Sequence, residues 1–209
     1  MDLTRRTGVK RWTTREGWAG IIAAAPRAEL EQAGLRLAIG TLVLLVLLWV
    51  RLARQNPSAE SLQMIWVLAG FAAFGAAITL WILLVPRISP TRRVLGMIAD
   101  NAATTYFMLR MGENGALIVG IFMFVAFGNA FRYGRSYLRI SHVLALVGLS
   151  TVLSVSDFWS QHVVIGMGLF TMLLVLPMYV GVLLQRLNEA RLRAEQALEQ
   201  CIEEGRRGS

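Results

Sequence analysis

Asp100 places a carboxylate inside an apolar stretch of the sequence, which makes it a candidate functional residue. It lies about seven residues into the apolar run 94–111, so in a helix it would be about 10 Å deep at about 1.5 Å per residue. A charged side chain in the middle of a bilayer costs about 2.5–3.5 kcal/mol, and such groups face the interior of a helix bundle and have partners. Thr104 shares a helix face with Asp100, and Asn101 lies on the neighbouring face. We therefore expect a polar, inward-facing side on this helix.

A second set of polar residues follows in the next two apolar runs. If the fourth run crosses in the opposite direction to the third, Asn129 and Arg132 return to the leaflet of Asp100, where His142 begins the fifth run. Such a cluster predicts a carboxylate or headgroup site, or a two-state switch. The alternative is a structural ion pair between Asp100 and Arg132 that fixes helix register. The candidate ligand-binding or switch residues are Asp100, Asn101, Thr104, Asn129, Arg132, Tyr133 and His142.

Motifs for covalent or metal chemistry are absent from the sequence. It contains no Gly-x-Ser-x-Gly elbow and no His-Glu-x-x-His pair. Cys201 is the single cysteine, so neither an intrachain disulfide nor a thiolate metal cage can form. His142 and His162 are expected on opposite sides of the membrane, so they make no metal pair. We expect no catalytic activity, no metal and no cofactor.

Composition identifies an integral membrane protein. Hydrophobic residues make up 56% of the 209 residues and charged residues 16%, and the mean hydropathy is +0.55. Soluble chains are about 45–50% apolar and about 25% charged. The sequence therefore predicts an all-α membrane helical bundle, with an N-terminal interfacial helix and a C-terminal cytoplasmic helix. Five or six spans fit, and we favour six, at about 35–52, 64–85, 94–111, 116–131, 140–155 and 163–184.

Basic residues alternate between rich and poor segments along the chain. Assigning alternate segments to opposite sides places 18 of the 21 Lys and Arg residues on one side and 3 on the other. An excess of this kind marks the cytoplasmic side, so with six spans both termini are predicted in the cytoplasm. The net charge of +8 then reports orientation and does not require a nucleic-acid partner.

Three segments are predicted: 1–32, 33–184 and 185–209. The first is basic and amphipathic, with Trp12 and Trp18, and is expected to lie on the membrane surface. The second is the membrane bundle. The third is a polar helix that continues from the sixth span, and its seven-residue repeat predicts either a dimer helix or a solvated helix.

Two motifs resemble a known family. The first is Pro90–Asp100, and the second is Gly128–Gly134 followed by Tyr137–Arg139. Both are similar to segments of the membrane input domain of Rpf-type sensor histidine kinases. These proteins are receptors for diffusible signal factor, a cis-unsaturated fatty acid of bacterial cell–cell signalling. The resemblance runs from about 37 to 184, and it departs from the family pattern at Ala130-Phe131. The arginines of 128–139 also predict a loop on the positively charged side.

The resemblance implies a multi-pass sensor in the bacterial inner membrane, relaying a fatty-acid-like signal through the last span to a cytoplasmic partner. No histidine follows the sixth span, so the phospho-acceptor of the kinase is absent and the chain is expected to be a stand-alone relative or an excised piece. The expected partners are the lipid bilayer, the fatty-acid-like signal and either a second copy or a sensor kinase. The alternative function is a small transporter in which Asp100 carries protons.

Overall fold

A computed structural model describes residues 25–53 and 59–207. These residues contain no β-strand, which confirms the all-α class for the described part of the chain. The helices are α1 (Arg27–Ala53), α2 (Ala59–Leu84), α3 (Pro90–Met111), a 3-10 helix (Gly112–Ile118), α4 (Val119–Tyr133), α5 (Arg135–Val155), α6 (Asp157–Gln161) and α7 (Val163–Arg207). The interfacial helix expected in the segment 1–32 falls mostly on residues 1–24, which lie outside the described residues.

Three of these helices are long and apolar enough to cross a bilayer by themselves. The qualifying segments, among the described residues, are Leu62–Leu84, Arg135–Val155 and Val163–Gln200, and Val119–Tyr133 is a shorter apolar helix. Helix α3 carries several charged and polar residues, including Arg92, Arg93 and Asp100, which lower its hydropathy. The described residues thus contain three candidate membrane-spanning helices and one shorter apolar helix, as expected for an α-helical membrane protein.

The first compact unit, residues 1–103, is built on an antiparallel pair of helices. Helices α1 and α2 pack along their length. Ala33 of α1 belongs to a buried cluster with Ile78 and Ile82 of α2, and Gly40, about two turns further along α1, lies against Phe71. Contacts therefore move back along α2 as they move forward along α1, as in a helical hairpin.

The second compact unit, residues 104–209, is built on α4, α5 and α7. Its core contains the end of α3, the helical hairpin α4–α5 and the middle of α7. Trp159 of the short helix α6 also belongs to this core and is 1% exposed. The core residues are Met108, Val119, Phe122, Met123, Ala145, Leu149, Val152, Trp159 and Leu173.

A single residue connects α4 to α5. Helix α4 ends at Tyr133 and α5 begins at Arg135, so the loop predicted over residues 128–139 is reduced to Gly134. Gly134 has φ 87° and ψ −175°, a conformation that is essentially restricted to glycine. This one backbone conformation reverses the chain, and the residues on both sides keep their helical hydrogen bonds.

Helix α7 is one continuous helix of 45 residues. It contains the sixth apolar run, 163–184, together with residues 185–207 of the predicted tail. Pro177 lies inside it, and both Leu173 and Pro177 are fully buried. No loop therefore separates the apolar part of this helix from its polar part.

Candidate functional site

Asp100 forms an ion pair with Arg36. The guanidinium Nε lies 2.6 Å from Oδ1 and Nη2 lies 2.7 Å from Oδ2, so each carboxylate oxygen accepts a hydrogen bond from Arg36. The side chains are 5% and 12% exposed, respectively. Planar two-point contacts of this kind are the strong form of the arginine–carboxylate interaction. An ion pair of Asp100 with Arg132 was one of the two alternatives drawn from the sequence; in the structure Asp100 binds Arg36 of α1.

Two glycines make room for the Arg36 side chain. A Cβ atom at Gly96 of α3 would lie 2.5 Å from Arg36 Nη2, and one at Gly75 of α2 would lie 3.6 Å from Arg36 Cδ. Arg36 therefore occupies a narrow site that involves α1, α2 and α3. The glycines provide the space, and Asp100 provides the charge.

Glu29 accepts hydrogen bonds from three groups at the start of α3. Arg92 Nη2 donates to Oε2 at 3.0 Å, and Arg93 Nε and the Ser89 backbone N–H donate to Oε1 at 2.8 and 3.1 Å. Glu29 and Arg92 are each 3% exposed. Ser89 also accepts from the Arg92 N–H through its hydroxyl at 3.4 Å, and Pro90 is the first residue of the helix. The beginning of α3 is thereby fixed to α1.

Arg92 also donates hydrogen bonds to carbonyl groups at the end of α2. Helix α2 has no basic residue in its last turn, and its final carbonyl groups need donors from elsewhere. Arg92 Nη1 donates to the carbonyls of Trp81 at 3.2 Å and Val85 at 2.9 Å, and Nη2 donates to the carbonyl of Arg87. The guanidinium also lies 5.7 Å from the Trp81 ring centroid. One side chain thus contacts α1, the end of α2 and the connection between α2 and α3.

The two ion clusters reveal the direction of α3. Glu29 meets Arg92 and Arg93, and Arg36, seven residues later, meets Asp100. Later residues of α1 contact later residues of α3, so these helices run parallel. With α2 antiparallel to α1, the helices α1, α2 and α3 alternate in direction.

In the second unit, Asn129 and Ser141 connect α4 to α5. Asn129 Nδ2 donates to the Val125 carbonyl at 2.7 Å and to Ser141 Oγ at 3.4 Å, and both residues are buried. Arg132 Nη1 donates to the carbonyl of Gly128 at 3.4 Å, one turn back in its own helix. The rings of Tyr133 and Tyr137 lie 5.3 Å apart across Gly134.

His142 of α5 binds the backbone of α7. Its Nε2 lies 3.0 Å from the carbonyl oxygen of Leu173. Because a carbonyl oxygen can only accept, Nε2 must carry the proton. Leu173 is the residue four positions before Pro177.

The predicted site residues are divided between the two units. Asp100 and Asn101 belong to the first, where Asn101 Nδ2 donates to the Met97 carbonyl at 2.8 Å. The second contains Thr104, which is 4% exposed, together with Asn129, Arg132, Tyr133 and His142. Within the second unit, Asn129 and Ser141 lie together, whereas Arg132 and His142 each bind a different backbone carbonyl.

Sequence reasoning missed Glu29, Ser141 and the role of Arg36. A signal was present: α1 has an acid followed seven residues later by a base, and α3 has bases followed seven or eight residues later by an acid. Two helices with opposite charge order at matching spacing can form two ion pairs when they run parallel. That complementarity points to Glu29 with Arg92 or Arg93, and to Arg36 with Asp100.

Comparison with known proteins confirms the family resemblance that the two sequence motifs indicated. No protein-family model matches the chain, and no solved structure matches it. The chain is 30% identical over 174 residues to the sensory/regulatory protein RpfC of Xanthomonas campestris pv. campestris, in strain ATCC 33913 and in strain 8004. The match covers 82% of this chain and 24% of RpfC, so the chain spans about a quarter of those relatives. The chain is therefore a homologue of part of the RpfC sensory/regulatory proteins.

Proposed function

We propose that this chain is a non-catalytic membrane sensor module that relays a signal through α7. The homology to part of a sensory/regulatory protein carries this proposal. The continuous helix α7 supports it, because the apolar residues from Val163 and the polar residues to Arg207 belong to one helix. A displacement of the membrane part of α7 would reach the polar part directly. The receiver of that displacement is a sensor kinase or a second copy of the chain.

The proposed topology has six spans with both termini in the cytoplasm of a bacterial inner membrane. The alternating directions of α1, α2 and α3 support it, and so does the distribution of basic residues. Labelling with a membrane-impermeant maleimide tests it in a Cys201→Ser background. Ser136→Cys, at the start of α5, should be protected in intact cells, and Ser160→Cys, in α6, should be labelled. The reverse pattern would overturn the topology.

The proposed ligand is a lipophilic acid of the cis-unsaturated fatty-acid type, which enters from the bilayer. Its carboxylate requires a buried cation, and Arg36 is such a cation, already bound to one carboxylate. Arg132 is the second candidate cation. Substitution tests each of the candidate positions predicted from the sequence. These are Asp100, Asn101, Thr104, Asn129, Arg132, Tyr133 and His142. Binding shifts the helix arrangement only if its affinity differs between two arrangements.

Thermal unfolding of the purified protein in detergent tests the ligand class. A cis-unsaturated fatty acid should raise the Tm in a concentration-dependent way, because a ligand that binds only the folded state stabilises it. The trans isomer and the methyl ester of the same chain length are the matched controls. A cis acid should act more strongly than both. Equal shifts with all three would show detergent-like partitioning and contradict a specific acid site.

The alternative is a transporter in which Asp100 carries protons. The contact of both carboxylate oxygens with Arg36 opposes this role, because proton transfer would require that pair to open at each cycle. Counterflow of a radiolabelled substrate in liposomes distinguishes the two functions. A sensor should show none.

A further inference from the structure

Helix α7 has a backbone defect at Leu173. In a continuous α-helix, the carbonyl of residue 173 accepts the N–H of residue 177, but Pro177 has no N–H. Leu173 is 0% exposed and Pro177 is fully buried, so water cannot supply the missing donor. An unsatisfied carbonyl within a membrane costs several kcal/mol. A donor from elsewhere is therefore needed at this point.

His142 of α5 supplies that donor. Its Nε2 lies 3.0 Å from the Leu173 oxygen, 31 positions away in the chain, and is thus the side-chain replacement for the proline N–H. One further contact between the same helices lies on the other side of Pro177. A Cβ atom at Gly181 would lie 3.3 Å from Leu138 Cδ2, so α5 and α7 approach closely there. The helix is consequently held against α5 both before and after its proline.

We propose that His142 and Pro177 form a hinge that sets the direction of the second half of α7. Proline sites are where helices bend sharply, because the hydrogen-bond ladder is broken on one side. With the His142–Leu173 hydrogen bond made, the bend has one preferred angle. With it broken, the half of α7 beyond Pro177 samples a wider range of directions. His142 is thus a positioning residue for α7 and contacts no ligand in this role.

Distance measurement between two spin labels in the 209-residue chain tests the hinge. One label is placed on the native Cys201 in α7 and the other on Ser136→Cys at the exposed start of α5, with the protein in lipid nanodiscs. His142→Leu removes the donor and should broaden the distance distribution and shift its mean by several ångströms. His142→Gln, whose amide nitrogen can take the place of Nε2, should retain the distribution of the wild type.

The Pro177→Ala variant is the background in which the effect of His142→Leu on the hinge is tested. Alanine restores the backbone N–H to Leu173, so His142 is no longer required at that carbonyl. The hinge predicts that His142→Leu changes the distribution in the Pro177 protein and leaves it unchanged in the Pro177→Ala protein. A His142→Leu effect of the same size in both backgrounds would overturn the proposal, because the effect would then come from lost packing alone. An unchanged distribution in His142→Leu with Pro177 present would also overturn it.

A second measurement keeps the inference testable if His142→Leu does not fold. The chain has only two histidines, so ¹⁵N NMR of the labelled wild type resolves both rings, and His162→Gln assigns them. The hinge predicts that the His142 ring carries a hydrogen-bonded proton on Nε2. An Nδ1-protonated neutral ring would contradict it. No ligand is used in either experiment, so a failure of fatty-acid binding leaves the hinge intact, and a failure of the hinge leaves the binding proposal to its own test.

Discussion

Arg36 and Asp100 lie 64 positions apart in the sequence, yet their side chains meet through two hydrogen bonds of 2.6 and 2.7 Å. Removing one partner of a buried pair leaves an uncompensated charge, which costs about 3–5 kcal/mol. Asp100→Asn should therefore lower the free energy of unfolding by about that amount. Denaturant unfolding in detergent micelles measures the change.

The double variant Arg36→Leu/Asp100→Leu is the matched control for this pair. Replacing both charges with apolar groups is often neutral or stabilising. It should regain most of the stability lost in Asp100→Asn. If the double variant were less stable than the single one, the pair would be contributing by more than charge neutralisation and this explanation would be wrong.

Arg92→Lys should destabilise the protein more than Arg93→Lys. Arg92 binds Glu29 and three backbone carbonyls through two nitrogens, and a lysine ammonium cannot reproduce that planar geometry. The Arg93 side chain is 13% exposed, and its Nε donates to Glu29 Oε1 at 2.8 Å. We expect a loss of about 2–3 kcal/mol for Arg92→Lys, given that hydrogen bonds of charged groups contribute about 1.5–3 kcal/mol. Equal losses for both variants would contradict the role of Arg92 at the end of α2.

Gly148→Ala should destabilise the second unit. A Cβ atom at Gly148 would overlap with Thr105 Oγ1 and lie 3.1 Å from Cε1 of Phe122, whose ring is fully buried. Overfilling a packed core costs about 1–3 kcal/mol. Gly120→Ala is the control, because no atom lies within 4 Å of its added Cβ. It should be neutral or stabilising by up to about 1 kcal/mol, since alanine favours a helix over glycine. Thermal unfolding of both variants in one detergent gives the comparison.

Gly134→Ala tests the one-residue connection between α4 and α5. Its φ of 87° and ψ of −175° lie in a region that side chains with a Cβ atom avoid, at a cost of about 1–3 kcal/mol. Nothing lies within 4 Å of the added Cβ, so any loss of stability reports backbone strain alone. Gly168→Ala, which is also open but helical, should show no loss. A Gly134→Ala protein as stable as wild type would mean that the turn accepts another conformation.

Hydropathy predicted the helices well because each long apolar run needs internal hydrogen bonds to be stable in lipid. The runs 64–85 and 163–184 correspond to α2 and to the first part of α7. The run 116–131 begins three residues before α4, since residues 112–118 form the tighter 3-10 helix. The prediction of a loop over 128–139 was wrong, because polar residues indicate where a chain meets water or lipid headgroups. They do not indicate where a helix ends.

The amino-acid sequence alone does not determine which arginine pairs with Asp100. Both Arg36 and Arg132 fit the same leaflet, and depth along the membrane does not distinguish them. The choice depends on which helices are neighbours. Glu29 was overlooked because it precedes the first apolar run, although it is among the most buried charged residues of the described structure.

The uninterrupted length of α7 has a mechanical consequence. About thirty residues follow Pro177 in this helix, which at about 1.5 Å per residue makes an arm of about 45 Å. A rotation of about 5° at the proline would carry the tip of such an arm sideways by about 4 Å. Small angular changes inside the bilayer are therefore amplified into displacements comparable to the size of a side chain at the far end.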